Sequence, residues 1–187
     1  MTRIDRKTAA AVLGVEEFFL KSALARGILP RNQAFDVDSE ARRGFDWPTI
    51  YAMAAALEFA ARFGIDRATA SRLGNFAAFS AYLKHWPRCI AGSETILIGS
   101  ANLPDGRQAF FAATAAEFAA DPVLATATAV VAVSATALVA KLRARASELG
   151  IDAAGFFTPA AFAHDRIATK PVAPGAALYI VDTEADA

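Results

Sequence analysis

Between residues 8 and 30 the chain reads Thr8-Ala-Ala-Ala-Val-Leu-Gly14-Val15, then an eleven-residue segment Glu16–Arg26, then Gly27-Ile-Leu-Pro30. Ala9 to Leu13 suits one short helix. Gly14 supplies a turn in which positive φ carries no steric cost. Glu16 to Arg26 suits a second helix, and Gly27 is placed to cap its C-terminal end. This is the spacing of a helix-turn-helix, whose second helix commonly lies in the major groove of DNA.

The distribution of charge agrees with a nucleic-acid-facing front half. Net charge is zero, but residues 1–88 hold 13 Lys and Arg against 9 Asp and Glu, and residues 89–187 hold 6 against 10. A basic front and an acidic rear fit a DNA-contacting module joined to a module with another task. The expected division is 1–88, a winged helix-turn-helix domain, and 89–187, a domain for dimerisation, effector sensing or a protein partner. Cys89 is the single cysteine, which excludes an internal disulfide and fits a cytoplasmic protein. The chain opens with Arg3, Asp5, Arg6 and Lys7 rather than a secretory pattern.

Pro122 to Ala140 is nineteen residues without a charge, followed by Lys141, Arg143 and Arg145. A membrane span is one reading. Four of the nineteen are Ser or Thr and most others are Ala or Val, so a buried strand followed by a helix from Ala135 fits better.

Elsewhere the punctuation is local. Pro30 to Gly44 is a polar hairpin or loop. Asp46 is an N-cap with Trp47-Pro48 in the first turn, opening a helix that Gly64 ends. Asp66 opens another, running to about Lys84, with Gly74-Asn75 a candidate break. His85-Trp86-Pro87 is expected to close this half. Thr95–Ile98 and Gln108–Ala112 flank Leu103-Pro-Asp-Gly106 and predict a hairpin. A short helix over Ala115–Ala120, a strand over Ala127–Ser134, a helix over Ala135–Leu149 and a last strand over Ala176–Val181 complete an α+β class: a winged helix-turn-helix with two further helices, then a small α/β-type domain.

The front half resembles the MerR-like winged-helix group, which takes in many phage and mobile-element regulators of bacteria. Gly14-Val15, the recognition segment, Gly27-Ile28-Leu29-Pro30, a polar wing, Arg43-Gly-Phe45 and a helix follow the family's order of elements over about residues 3–84. Lys21-Ser22-Ala23 stands where the family commonly carries Arg-Tyr-Tyr. The resemblance implies a sequence-specific transcriptional regulator.

The side chains suited to double-stranded DNA are Lys21, Ser22 and Arg26 on the polar side of the second helix. Arg31, Arg42 and Arg43 on the wing suit backbone or minor-groove contact. Arg6 and Lys7 lie at the start of the first helix, where free amides also favour phosphate. Glu16 and Glu17 oppose close approach at the front of the second helix, or offset its dipole. The alternative is an adaptor that uses the same fold to hold a protein without binding DNA.

No catalytic constellation, metal-ligand spacing or phosphate-cradling loop is present in the sequence, so neither an enzyme nor a cofactor is expected; His85 and His164 stand far apart. A homodimer through the rear half is expected. It would use either the apolar stripe Leu138, Val139, Leu142, Ala146 and Leu149 or the strand Thr95–Ile98 as a sheet edge. The stripe could equally pack within its own domain.

Overall fold

The computed structural model describes residues 4–30, 44–84, 86–153 and 177–181. Local chemistry sets most helix ends. Helix α1 spans Arg6–Leu13, three residues longer at its start than the sequence suggested. The reason is Asp5, whose carboxylate accepts from the Thr8 amide at 3.0 Å and from the Thr8 hydroxyl at 2.7 Å. Gly14 ends α1 at φ 70°, and the Val15 amide reaches back to the Ala10 carbonyl at 3.0 Å. After this tight turn, α2 runs Glu17–Ala25. Gly27, at φ 67°, follows its end, and the Ile28 amide donates to the Ala23 carbonyl.

Ile4 and Phe45 pair backbone to backbone at 2.9 and 2.7 Å, pinning together the two ends of the segment that carries α1 and α2. Helix α3, Trp47–Phe63, is capped by Asp46 and closed by Gly64. Ile50, Tyr51, Ala52, Met53, Ala55, Ala56 and Phe59 are all buried, so α3 is covered nearly all round and is the central helix. Helix α4, Arg67–Lys84, lies along it. Gly74 does not break α4. A Cβ there would stand 2.6 Å from the Ala52 carbonyl oxygen and 2.9 Å from the Ala56 Cβ, so the glycine allows the two helices to approach closely. Trp86-Pro87, expected to close the half, instead opens α5, Trp86–Ala91. A proline that bars helix behind it is well tolerated in a first turn.

The rear half is an antiparallel sheet of four strands in the order β3-β1-β2-β4, with β1 Ile96–Asn102, β2 Gln108–Thr114, β3 Ala129–Ser134 and β4 Ala177–Val181. The turn at Leu103–Gly106 forms as expected, with the Gly106 amide on the Leu103 carbonyl and Gly106 at φ 85°. Alternation along the strands sends Ile96, Ile98, Phe110, Ala112 and Val133 toward the helices. Ala101, Ala109, Phe111 and Ala113 face the opposite side. There Leu124 and Phe118 cover them, from helix α6, Ala115–Ala120, and the 3₁₀ turn after it. Gly99 lies in β1, where a Cβ would stand 2.0 Å from the Val131 carbonyl oxygen. Only glycine lets β3 come this close.

One expectation about an assembly surface is corrected here, and of the two readings of the apolar stripe the intrachain one holds. β1, which contains Ile96–Ile98, is paired on both sides and is not an edge. The helix that carries the apolar stripe, α7 Ala135–Glu148, buries Leu138, Val139, Leu142 and Ala146 within the chain, against α1, α3, α5 and β1. Leu149 lies just beyond its end and is exposed. One apolar cluster therefore runs from Ile4, Ala9 and Leu20 through α3 to Ile98, Val133 and Leu142, crossing the position of Arg88. The uncharged stretch from Pro122 is divided between the 3₁₀ turn, β3 and the start of α7. Among the described residues no helix is long and apolar enough to cross a membrane.

Candidate nucleic-acid interface

Helix α2 is held by Leu20 and Ala23, which are buried, and by Phe19 and Leu24, which are partly so. The 3.6-residue period then fixes what faces outward. Glu17, Phe18, Lys21, Ala25 and the following Arg26 are exposed, and Ser22 is half-buried at the margin of the same face. Lys21, Ser22 and Arg26 thus share one side of the helix, and neither Lys21 nor Arg26 has an ion pair among the described residues.

The front of α2 is less negative than its sequence. Arg6 on α1 meets Glu17 at 3.0 Å, with both side chains a little under half exposed. The pair offsets one of the two carboxylates at the helix start, and it also engages one of the cations expected to meet phosphate. Glu16 is the N-cap of α2 but makes no side-chain capping bond. Lys7 is exposed one position along from Arg6. Arg31, Arg42 and Arg43, with the wing expected to carry them, lie outside the described residues, as do His85 and His164.

Two residues join the site that sequence reasoning passed over. Arg67, the first residue of α4, places its guanidinium 5.0 Å from the centroid of the Phe19 ring. This cation–π contact brings a further positive charge to the flank of α2. No local signal ties Arg67 to Phe19, because α3 lies between them in the chain. Phe18, in the first turn of α2, is 79 % exposed on the outer face. Its signal was available: it precedes Lys21 and Ser22 by three and four residues, which is one helical stripe.

Beside α2 lies an open groove of about 340 Å³, walled by Phe19, Ile28, Leu57, Ala60 and Ile65 and rimmed by Arg67. The Asp66 carboxylate at this rim already accepts from the Ala68 and Thr69 amides, each at 3.0 Å. Hydrogen bonds from Thr69 hold its carboxyl below the ordinary value of 3.8, so Asp66 stays ionised and serves α4.

The rear half meets the turn between α1 and α2. Arg145 of α7 lies over Gly14. Lys141 reaches Glu58 of α3 at 3.7 Å, and Arg143 donates to the Ile90 carbonyl at 3.3 Å. The exposed face of α2 is therefore mounted on a body that includes the sheet. Compared with protein-family models, curated proteins and solved structures, the chain matches none.

Proposed function

We propose that the chain is a sequence-specific DNA-binding transcriptional regulator of the cytoplasm, with α1 and α2 as a winged helix-turn-helix and α2 as its recognition helix. The observation that carries this reading is the exposed face of α2. It bears Lys21, Ser22 and Arg26 on a short helix joined to α1 by a glycine turn. Such a face offers donors to phosphates and to guanine at once. Arg31, Arg42 and Arg43 would add contacts from the wing. The rear half serves oligomerisation or sensing. With α7 and β1 covered, the outer edge of β3, where Val130 is 42 % exposed, fits a second copy in a homodimer reading paired half-sites.

The test is the affinity of the purified chain for duplex DNA at several salt concentrations. A regulator using most of these cations gives a log–log slope steeper than about −3, and prefers a selected site over bulk DNA. A second reading, a protein-binding adaptor, draws on the exposure of Phe18. It expects no salt-dependent binding and no preferred site.

A further inference from the structure

We infer that Phe18 reads the 5-methyl groups of thymine in the major groove, so that the DNA bound by this chain contains thymine at fixed positions under α2. The inference rests on the DNA-binding reading above. Its ground is the company Phe18 keeps. The other large apolar side chains that are exposed among the described residues, Phe63, Val130 and Leu149, are each less than half exposed, whereas Phe18 is 79 % exposed. It stands in the first turn of α2, near the middle of the arc of exposed side chains, and the N-terminal residues of a recognition helix are those that meet base edges.

A helix face built to dock on a protein groove repeats apolar anchors at i, i+3, i+4 and i+7. Here those positions are Phe18, Lys21, Ser22 and Ala25. One large ring is followed by a cation, a hydroxyl and a methyl. An apolar groove would have to desolvate Lys21 to accept this face, at a cost the single ring does not offset. The major groove suits the same pattern. It interleaves acceptors, which Lys21 and Ser22 can meet, with thymine methyls, which are its apolar features and are contacted by Ala and Phe side chains. The negative charge nearest Phe18 on the helix, Glu17, is already paired with Arg6.

The test begins with the full chain and a pool of random duplexes, from which bound sequences are enriched. Each thymine of an enriched duplex is then replaced by deoxyuridine, which removes one methyl and nothing else. At one or two positions the wild-type chain should lose about three- to fivefold in affinity, the worth of one methyl removed from water. Phe18→Ala should bind the thymine and deoxyuridine duplexes alike, and Phe18→Leu should keep part of the preference. The circular dichroism of both variants should match wild type, since the ring supports no core. Enrichment of a duplex that wild type binds equally with thymine or deoxyuridine overturns the methyl contact and leaves the DNA reading standing. A thymine preference that survives in Phe18→Ala does the same. Enrichment of no duplex, with no salt dependence, overturns the DNA reading and the contact with it.

Discussion

The guanidinium of Arg145 lies against Gly14, its Nη2 3.1 Å from the point where a Cβ on that glycine would stand. The contact joins α7 to the turn that sets the angle between α1 and α2. Two effects could therefore make glycine necessary at position 14, and their sizes separate them. A Cβ at φ 70° costs about 1–2 kcal/mol in backbone strain. The guanidinium is the far end of a flexible side chain, about half exposed, and can move at little cost. Gly14→Ala should lower unfolding free energy by about 1–2 kcal/mol. The loss should persist within a few tenths in an Arg145→Ala background, as urea denaturation of the four proteins would measure. A penalty that vanishes without Arg145 would assign the requirement to the contact instead.

A fragment ending near Arg88 should not fold by itself. The division expected at residue 88 would make it an independent domain with apolar helices of its own. The packing changes that expectation. Ala9, Ala10 and Val12 of α1 and much of α3 belong to one cluster with Leu138, Val139, Leu142, Ile98 and Val133. Cutting at 88 would expose that face of both helices. Heteronuclear NMR of residues 1–88 should show poor dispersion, or the fragment should aggregate, whereas the full chain should give a dispersed spectrum. A well-dispersed fragment with a cooperative melt would show that the front half has a sufficient core without α7.

What the sequence made legible was chemistry confined to a few neighbouring residues. Gly14 and Gly27 at positive φ, the Asp46 cap, the Leu103–Gly106 turn and the helix starting at Ala135 were all readable because each signal acts within one turn. Asp5 was readable too, through Thr8 three residues on, but was passed over among charged neighbours. Pro87 is ambiguous in itself, since it ends one helix and begins another by the same loss of an amide proton. Pairing across distance was not legible. The stripe on α7 announces that it is buried, not that α1 and α3 cover it. Likewise the run Thr95–Ile98 shows a strand but not its place between β3 and β2. Of the proposed interface, the shared side of Lys21, Ser22 and Arg26 was legible in their spacing; Phe18 lies on the same stripe, but its exposure depends on which face of α2 the core covers.

Lys21→Ala and Arg26→Ala should each weaken DNA binding by about 1–3 kcal/mol if the lost contact is to a base edge. A contact to phosphate alone should instead lower the salt slope by about one for each variant. Both side chains are exposed, so unfolding curves should overlay wild type within about 0.5 kcal/mol. Fluorescence anisotropy with a labelled duplex, repeated at three salt concentrations, distinguishes the two contacts. Unchanged affinity and slope in both variants, with the fold intact, would remove α2 from the interface.

The last prediction concerns the single cysteine. Cys89 of α5 is buried, and burial pushes its thiol from the ordinary value of 9.0 up to about 11, against a smaller opposing pull from its hydrogen bond with Thr136. The thiolate is the reactive form. At pH 8 a thiol titrating near 11 holds about a hundredfold less thiolate than one titrating near 9, before any steric shielding by the core is counted. Native protein should therefore react with a disulfide reagent at pH 8 at least about a hundredfold more slowly than the same chain in guanidinium. The folded state favours the neutral thiol, so its contribution to stability is fully present below pH 9 and is lost as pH rises toward 11. Tyr51, fully buried and raised well above its ordinary value by desolvation, acts in the same direction. The urea midpoint should accordingly fall between pH 9 and 11, and fall less in Cys89→Ala. Rapid labelling of the native chain at pH 8, with a midpoint flat to pH 11, would place Cys89 at an accessible surface and break the packing of α5 on α7 described above.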